Sequence, residues 1–143
     1  MIVTENIERA KREIKLGEKI IKAQSEEFNR KILEYGKFKI LVFPELIGVF
    51  KKDSQRQLDS GLNHVLAKIA SKNEVAIGFD LEEIRKMQKE QKAITLARLR
   101  QNIKVCRKAN TKIILLNVKD KRDALSFFIS MGASTKQAKE ATG

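Results

Sequence analysis

The sequence predicts an α/β domain in which parallel strands are covered by helices. Three observations lead there. Amphipathic stretches with apolar residues three and four apart alternate about four times with short apolar runs. Those runs, of which Ile40-Leu41-Val42-Phe43 is the plainest, are continuous rather than alternating, the pattern of strands buried on both faces. The length, 143 residues, suits one domain over 1–143 and is short for two. Right-handed crossovers would then bring every strand C-terminus to one rim. Pattern alone leaves both a barrel segment and a small open sheet possible.

The elements follow in order. Thr4 is placed to cap a helix over 5–15 that carries Ile7, Ala10 and Ile14 on one side. Residues 19–23 read as a strand. Ser25 can cap a second helix with Phe28, Ile32 and Leu33 at helical spacing, and Gly36 suits its left-handed C-terminal position. The strand at 40–43 is stopped by Pro44. Residues 45–58 are the least regular and read as a loop with room for one short strand. A helix over 60–72 comes next, with Asp59 as its cap and Gly61 allowing close approach to a neighbour. After a strand at 74–79, Asp80-Leu81-Glu82-Glu83 opens another helix. A long helix over 91–110, a strand at 112–116 and a helix over 121–131 ending at Gly132 complete the pattern. Ser134 with Gln137 forms a capping box for a last short helix.

Thirty Lys and Arg against eighteen Asp and Glu leave a formal charge of +12, which favours a polyanionic partner. The single cysteine, Cys106, cannot form an internal disulfide and falls among apolar helix positions, so a reduced, cytoplasmic setting is expected. No run of about 18 apolar residues is present, and the N-terminus enters a charged amphipathic segment directly. The expectation is a protein that neither spans a membrane nor is secreted.

The strongest chemical signal is the segment from Arg85 to Lys112, with ten Lys and Arg, one Glu and a local charge of +9. On a helix, Leu96, Leu99, Ile103 and Cys106 form a buried stripe, and Arg100, Lys104 and Arg107 form a neighbouring cationic one. Arg98, Arg100 and Arg107 carry planar forks that can hold two phosphate oxygens or stack on an unpaired base. Lys108 extends the set. A helix with a merely solvated face would interleave Glu for i,i+4 support, and this one scarcely does. No aromatic stacking platform accompanies the cations, since Phe127 and Phe128 sit in an apolar helix and Tyr35 and Phe38 flank a turn.

A reactive centre is not legible. Only one histidine, His64, exists, and Glu45, Asp53, Asp59 and Asp80 cannot replace the imidazoles of a transition-metal hydrolase site. His64 is expected to be a hydrogen-bonded structural residue beside Asp59, with direct RNA contact as the alternative. No catalytic residue and no metal ligand set is assigned.

The block Asp59-Ser60-Gly61-Leu62-Asn63-His64-Val65-Leu66-Ala67-Lys68-Ile69-Ala70, followed by Asn73-Glu74-Val75-Ala76-Ile77-Gly78-Phe79, resembles the centre of the archaeal and eukaryotic ribonuclease P protein component 3 family. The resemblance continues through Leu96 to Lys108, Lys121 to Leu125 and Met131 to Ser134, and covers roughly 55–141. It implies a partial, shortened TIM-like β/α barrel of the phosphoesterase-like type, incomplete in its wall, with no leading strand recognisable before residue 5. It implies a non-catalytic subunit that binds the RNA of ribonuclease P and supports 5′ maturation of precursor tRNA, Mg²⁺ being used by the RNA and no cofactor by the chain. Its implied protein partner is component 2, two copies of each forming a heterotetramer. Lys68 and Arg122 join the candidate RNA-binding residues through their match to the family's blocks. The competing functions are a metal-dependent phosphoesterase of the related barrel group and a general RNA-binding accessory protein.

Overall fold

The computed structural model describes residues 1–43 and 62–143. The loop at 45–58, Pro44, Asp59 and Gly61 lie outside the described residues. In chain order the elements are α1 (Ile7–Lys15), β1 (Ile20–Lys22), α2 (Glu26–Tyr35), β2 (Ile40–Val42), α3 (His64–Lys72), β3 (Ala76–Asp80), α4 (Leu81–Lys86), α5 (Lys89–Ala109), β4 (Ile113–Leu116), α6 (Lys121–Ser130) and α7 (Thr135–Thr142).

Local chemistry explains most of these boundaries. The Ser25 side chain accepts from the Phe28 N–H, and Gly36 closes α2 in the left-handed conformation at φ 67°. Asp80 accepts from the amides of Glu82 and Glu83, and Asp120 from that of Asp123. Ser134 and Gln137 exchange both hydrogen bonds of a capping box. Two caps differ from expectation. Asn6, not Thr4, caps α1 by accepting from Arg9, while Thr4 Oγ1 accepts from the Asn6 amide at 3.1 Å. Asn63 caps α3 by accepting from Leu66 at 2.9 Å, so the role expected of Asp59 falls four residues later.

Among the described residues, four strands are parallel and lie in sequence order, β1-β2-β3-β4. One row across the sheet is Ile21, Leu41, Ile77 and Ile113. These residues, with Phe79 and Leu115, belong to the main core, where α1, α2, α3 and α5 bury Ile14, Phe28, Leu33, Leu66, Leu99 and Ile103. Val42 and Ala76 are also buried but stand outside that cluster, in the opposite pleat. A sheet whose strands follow one another with right-handed crossovers carries its helices on one face.

A leading pairing exists where none was expected. Ile2 bridges Ile21 in parallel, donating its N–H to Ile20 O at 2.8 Å and accepting from Lys22 N at 2.9 Å. One residue of register was too short to show in the sequence. At the other edge, Thr111 Oγ1 donates to Ala67 O at 2.6 Å in a buried contact that ties the entry of β4 to α3.

Candidate nucleic-acid interface

Helix α5 is the element on which the cations are displayed. Its core face is Thr95, Arg98, Leu99, Asn102, Ile103 and Cys106, all buried. Leu96 is half-buried against the same core. Arg98 therefore departs from its expected role. It is only 4% exposed, because it stands one residue before Leu99 and four before Asn102, within the core-facing arc. Its guanidinium is not offered to an RNA.

Arg100, Lys104, Arg107 and Lys108 are exposed. Helix α3 packs on α5 and exposes Lys68. Lys68 follows Ala67 and precedes Ile69 in a helix that buries Leu66, Ala67 and Ala70, so it lies on the side away from the sheet. The structure thus brings Lys68 and the α5 cations onto two adjacent helices. Helices run antiparallel to the strands they connect, so Arg107 and Lys108 lie at the N-terminal end of β4. Arg122, exposed in the first turn of α6, lies at the opposite rim and is not part of that group.

Three cations elsewhere in the helical layer meet carboxylates one turn away, Lys11 with Glu8 at 3.8 Å, Arg30 with Glu34 at 3.2 Å and Lys31 with Glu27 at 2.9 Å, while Arg9, Arg12 and Lys15 of α1 make no such pair among the described residues. The hydrogen bond from Lys31 holds the Glu27 carboxyl below the ordinary carboxylate range. Lys68, Arg100, Lys104 and Lys108 make no such pair among the described residues. No described carboxylate offsets these four charges.

Arg107 is half committed. Its Nη1 donates to Gly132 O at 3.2 Å, and one turn earlier on α5 Ile103 O accepts from Gln137 Nε2 at 3.1 Å. Gln137 had been read only as half of a capping box. Its amide group does both jobs, Oε1 accepting from the Ser134 N–H while Nε2 fixes α7 against α5. No sequence pattern marks such a long-range bond.

His64 is the first residue of α3 and is exposed. Its side chain makes no hydrogen bond with a described residue, and Asp59, beside which a structural role was expected for it, lies outside the described residues. Among the described residues no three His, Cys, Asp or Glu side chains gather as a metal site would require. Glu45, Asp53 and Asp59 lie outside them. No helix among the described residues is long and apolar enough to cross a membrane.

No family model matches the chain. Among curated proteins it is similar to ribonuclease P protein component 3 of Methanococcus vannielii, 30% identical over 89 residues that make up 62% of this chain and 35% of that protein. The protein of the same name from Methanococcus maripaludis strain C5 is 29% identical over the same shares. The chain spans about a third of the length of these curated relatives in the matched region. Among solved structures it superposes on a chain of archaeal ribonuclease P determined by cryo-electron microscopy with mature tRNA, at a TM-score of 0.74 and 22% identity, covering 99% of this chain and 61% of that one. The fold is shared, and the family whose blocks the sequence resembles is the family of these relatives.

Proposed function

We propose that this relative of ribonuclease P protein component 3 is a non-catalytic protein subunit of ribonuclease P, binding the RNA subunit and supporting 5′ maturation of precursor tRNA. The observation that carries the reading is the pair of packed helices α3 and α5, whose exposed cations Lys68, Arg100, Lys104 and Lys108 lack carboxylate partners among the described residues. Arg107 adds its remaining donors, and Arg122 would meet a separate part of the RNA. A surface of this kind neutralises phosphate charge and releases counterions, which is what a folded RNA offers. The chain itself takes no cofactor in this reading, and Mg²⁺ serves the RNA. Its remaining partner is component 2, in a heterotetramer with two copies of each, and its setting is the cytoplasm, which suits the buried thiol of Cys106.

The finer fold assignment is an arc of a TIM-like barrel. Strands in sequence order, a helix-covered face and buried apolar residues on the other pleat support it, as does a structural neighbour of which this chain covers 61%. The related phosphoesterase chemistry has no cluster of metal-ligating side chains to support it among the described residues. Binding is tested by titrating ribonuclease P RNA with the wild-type chain and with Lys68→Gln/Lys104→Gln/Lys108→Gln across a series of salt concentrations. The triple variant is expected to bind more weakly and to lower the slope of log affinity against log salt by about 2 to 3, since each lost phosphate contact removes ~0.7–0.9. An unchanged slope in a normally folded variant overturns the interface.

A further inference from the structure

A groove of about 240 Å³ opens between α4, the N-terminal half of α5 and α6. It is lined by none of the cations proposed to meet RNA, and Arg122 stands beside its lining residue Asp123. Leu81, Ile84, Leu96 and Phe127 supply its apolar walls, and Arg85, Lys92 and Asp123 are its charged lining. Since α4 follows β3 directly and α6 follows β4, the groove stands beside the C-terminal ends of those two strands.

Chemistry narrows the occupant. The volume is below the ~300–1,000 Å³ of ordinary small-molecule sites, so it suits a side-chain anchor better than a whole cofactor. A nucleobase would carry several polar edge atoms into walls made of four hydrocarbon side chains, where each unpaired one is penalised. An apolar side chain loses nothing by entering. Neither Arg85 nor Lys92 has a side-chain partner among the described residues, whereas Glu82 of the same helix is taken up by Lys119 at 3.4 Å. The charged lining is two cations against one carboxylate, Arg85 and Lys92 against Asp123, in a chain whose net charge is +12. That excess of positive charge attracts an anionic partner and repels a second copy of the chain.

We infer that this groove docks an acidic segment of a partner protein, with one or two apolar side chains seated between Ile84, Leu96 and Phe127 and flanking carboxylates on Arg85 and Lys92. The segment is recognised through its apolar anchor and flanking Asp or Glu. Docking here is independent of RNA binding on α3 and α5, and its loss would leave that surface intact.

The test selects phage-displayed random short peptides on the full immobilised chain and maps the enriched sequences by amide NMR shifts of the chain. Expected are peptides with apolar anchors flanked by Asp or Glu, which shift Leu81, Ile84, Leu96 and Phe127 and lose about tenfold or more in affinity for Arg85→Glu/Lys92→Glu. The charge-reversed chain should melt like the wild type and should still bind RNA through Lys68, Lys104 and Lys108. Selection that yields no acid-flanked apolar peptide, or peptides that shift other residues, overturns the inference. So does a short oligouridylate that shifts the groove residues more strongly than the peptides do, or a concentration-dependent shift of the groove in the chain alone, which would assign it to RNA or to a second copy.

Discussion

At the scale of single residues, Gly36 is the position where substitution should cost most for the fewest atoms. It sits at φ 67°, and a Cβ there would lie 2.7 Å from the Asn73 Cβ. Asn73 cannot retreat freely, because its Nδ2 donates to Leu33 O at 2.7 Å and so satisfies a carbonyl in the last turn of α2. Gly36→Ala is expected to destabilise the chain by ~1–2 kcal/mol for the left-handed backbone alone, with the contact adding to it, as read by urea unfolding. Cys106 makes a second prediction. Burial pushes its thiol up from 9.0 to about 12. The native state therefore keeps its proton longer than the unfolded chain, so this contribution to stability is complete below pH 9.0 and is lost as pH climbs towards 12. At neutral pH the folded chain should resist Ellman's reagent until denaturant is added, and rapid labelling of the native protein would contradict the burial. Residues of this kind were legible in sequence when the cause was local. Ser25, Gly36, Asp80 and the pair Ser134 and Gln137 act within a single turn. The caps at Asn6 and Asn63 were misplaced because Thr4 and Asn6, or Asp59 and Asn63, are all chemically competent, and only the packed register chooses between them. Arg98 was misread because its residue type argued for the surface while its spacing placed it with Leu99 and Asn102.

At the scale of elements, α5 joins a core face to a cationic face, and one residue belongs to both tasks. Arg107 donates to Gly132 O in the turn between α6 and α7, while Lys104 and Lys108 hold no partner among the described residues. The two kinds of cation should separate on mutation. Lys104→Gln/Lys108→Gln is expected to leave the melting temperature unchanged and to flatten the salt dependence of RNA binding by about 1 to 2 units, because exposed unpaired cations contribute little to stability. Arg107→Gln should lose ~0.5–1 kcal/mol of stability as well, the ordinary worth of one hydrogen bond. Gln137→Ala should cost more, ~1–3 kcal/mol, since it frees the Ser134 amide and removes the buried bond to Ile103 O. Differential scanning calorimetry beside filter binding would read both quantities. A double-mutant result in which Lys104 and Lys108 lowered stability as much as Gln137 does would show that they are structural. The period of the apolar residues disclosed which helix this is, but not that Thr95 and Asn102 share its buried face, because polar side chains do not register in an apolar period.

At the scale of the whole molecule, an all-parallel sheet in sequence order displays two unlike surfaces. One, on the pleat of Val42 and Ala76, is apolar and buried at those two residues, and the other is covered by the helical layer with its cations. Continuous apolar runs were enough to predict parallel strands, yet the extent of barrel closure was beyond them, since closure depends on strand number and stagger rather than on residue pattern. The net charge acts at the same scale. A chain carrying +12 that lies against a folded RNA replaces part of the cation atmosphere, so the RNA should need less Mg²⁺ to reach its active shape. Adding the chain to ribonuclease P RNA and precursor tRNA is therefore expected to move the midpoint of the Mg²⁺ titration of cleavage downward, and raising monovalent salt should shrink that displacement. The chain with Lys68, Lys104 and Lys108 changed to Gln should recover only part of the effect while folding normally. If the midpoint stayed fixed with the wild-type chain bound at saturation, its cations would be holding RNA without assisting the reaction, and the proposed role would reduce to that of a general RNA-binding accessory protein.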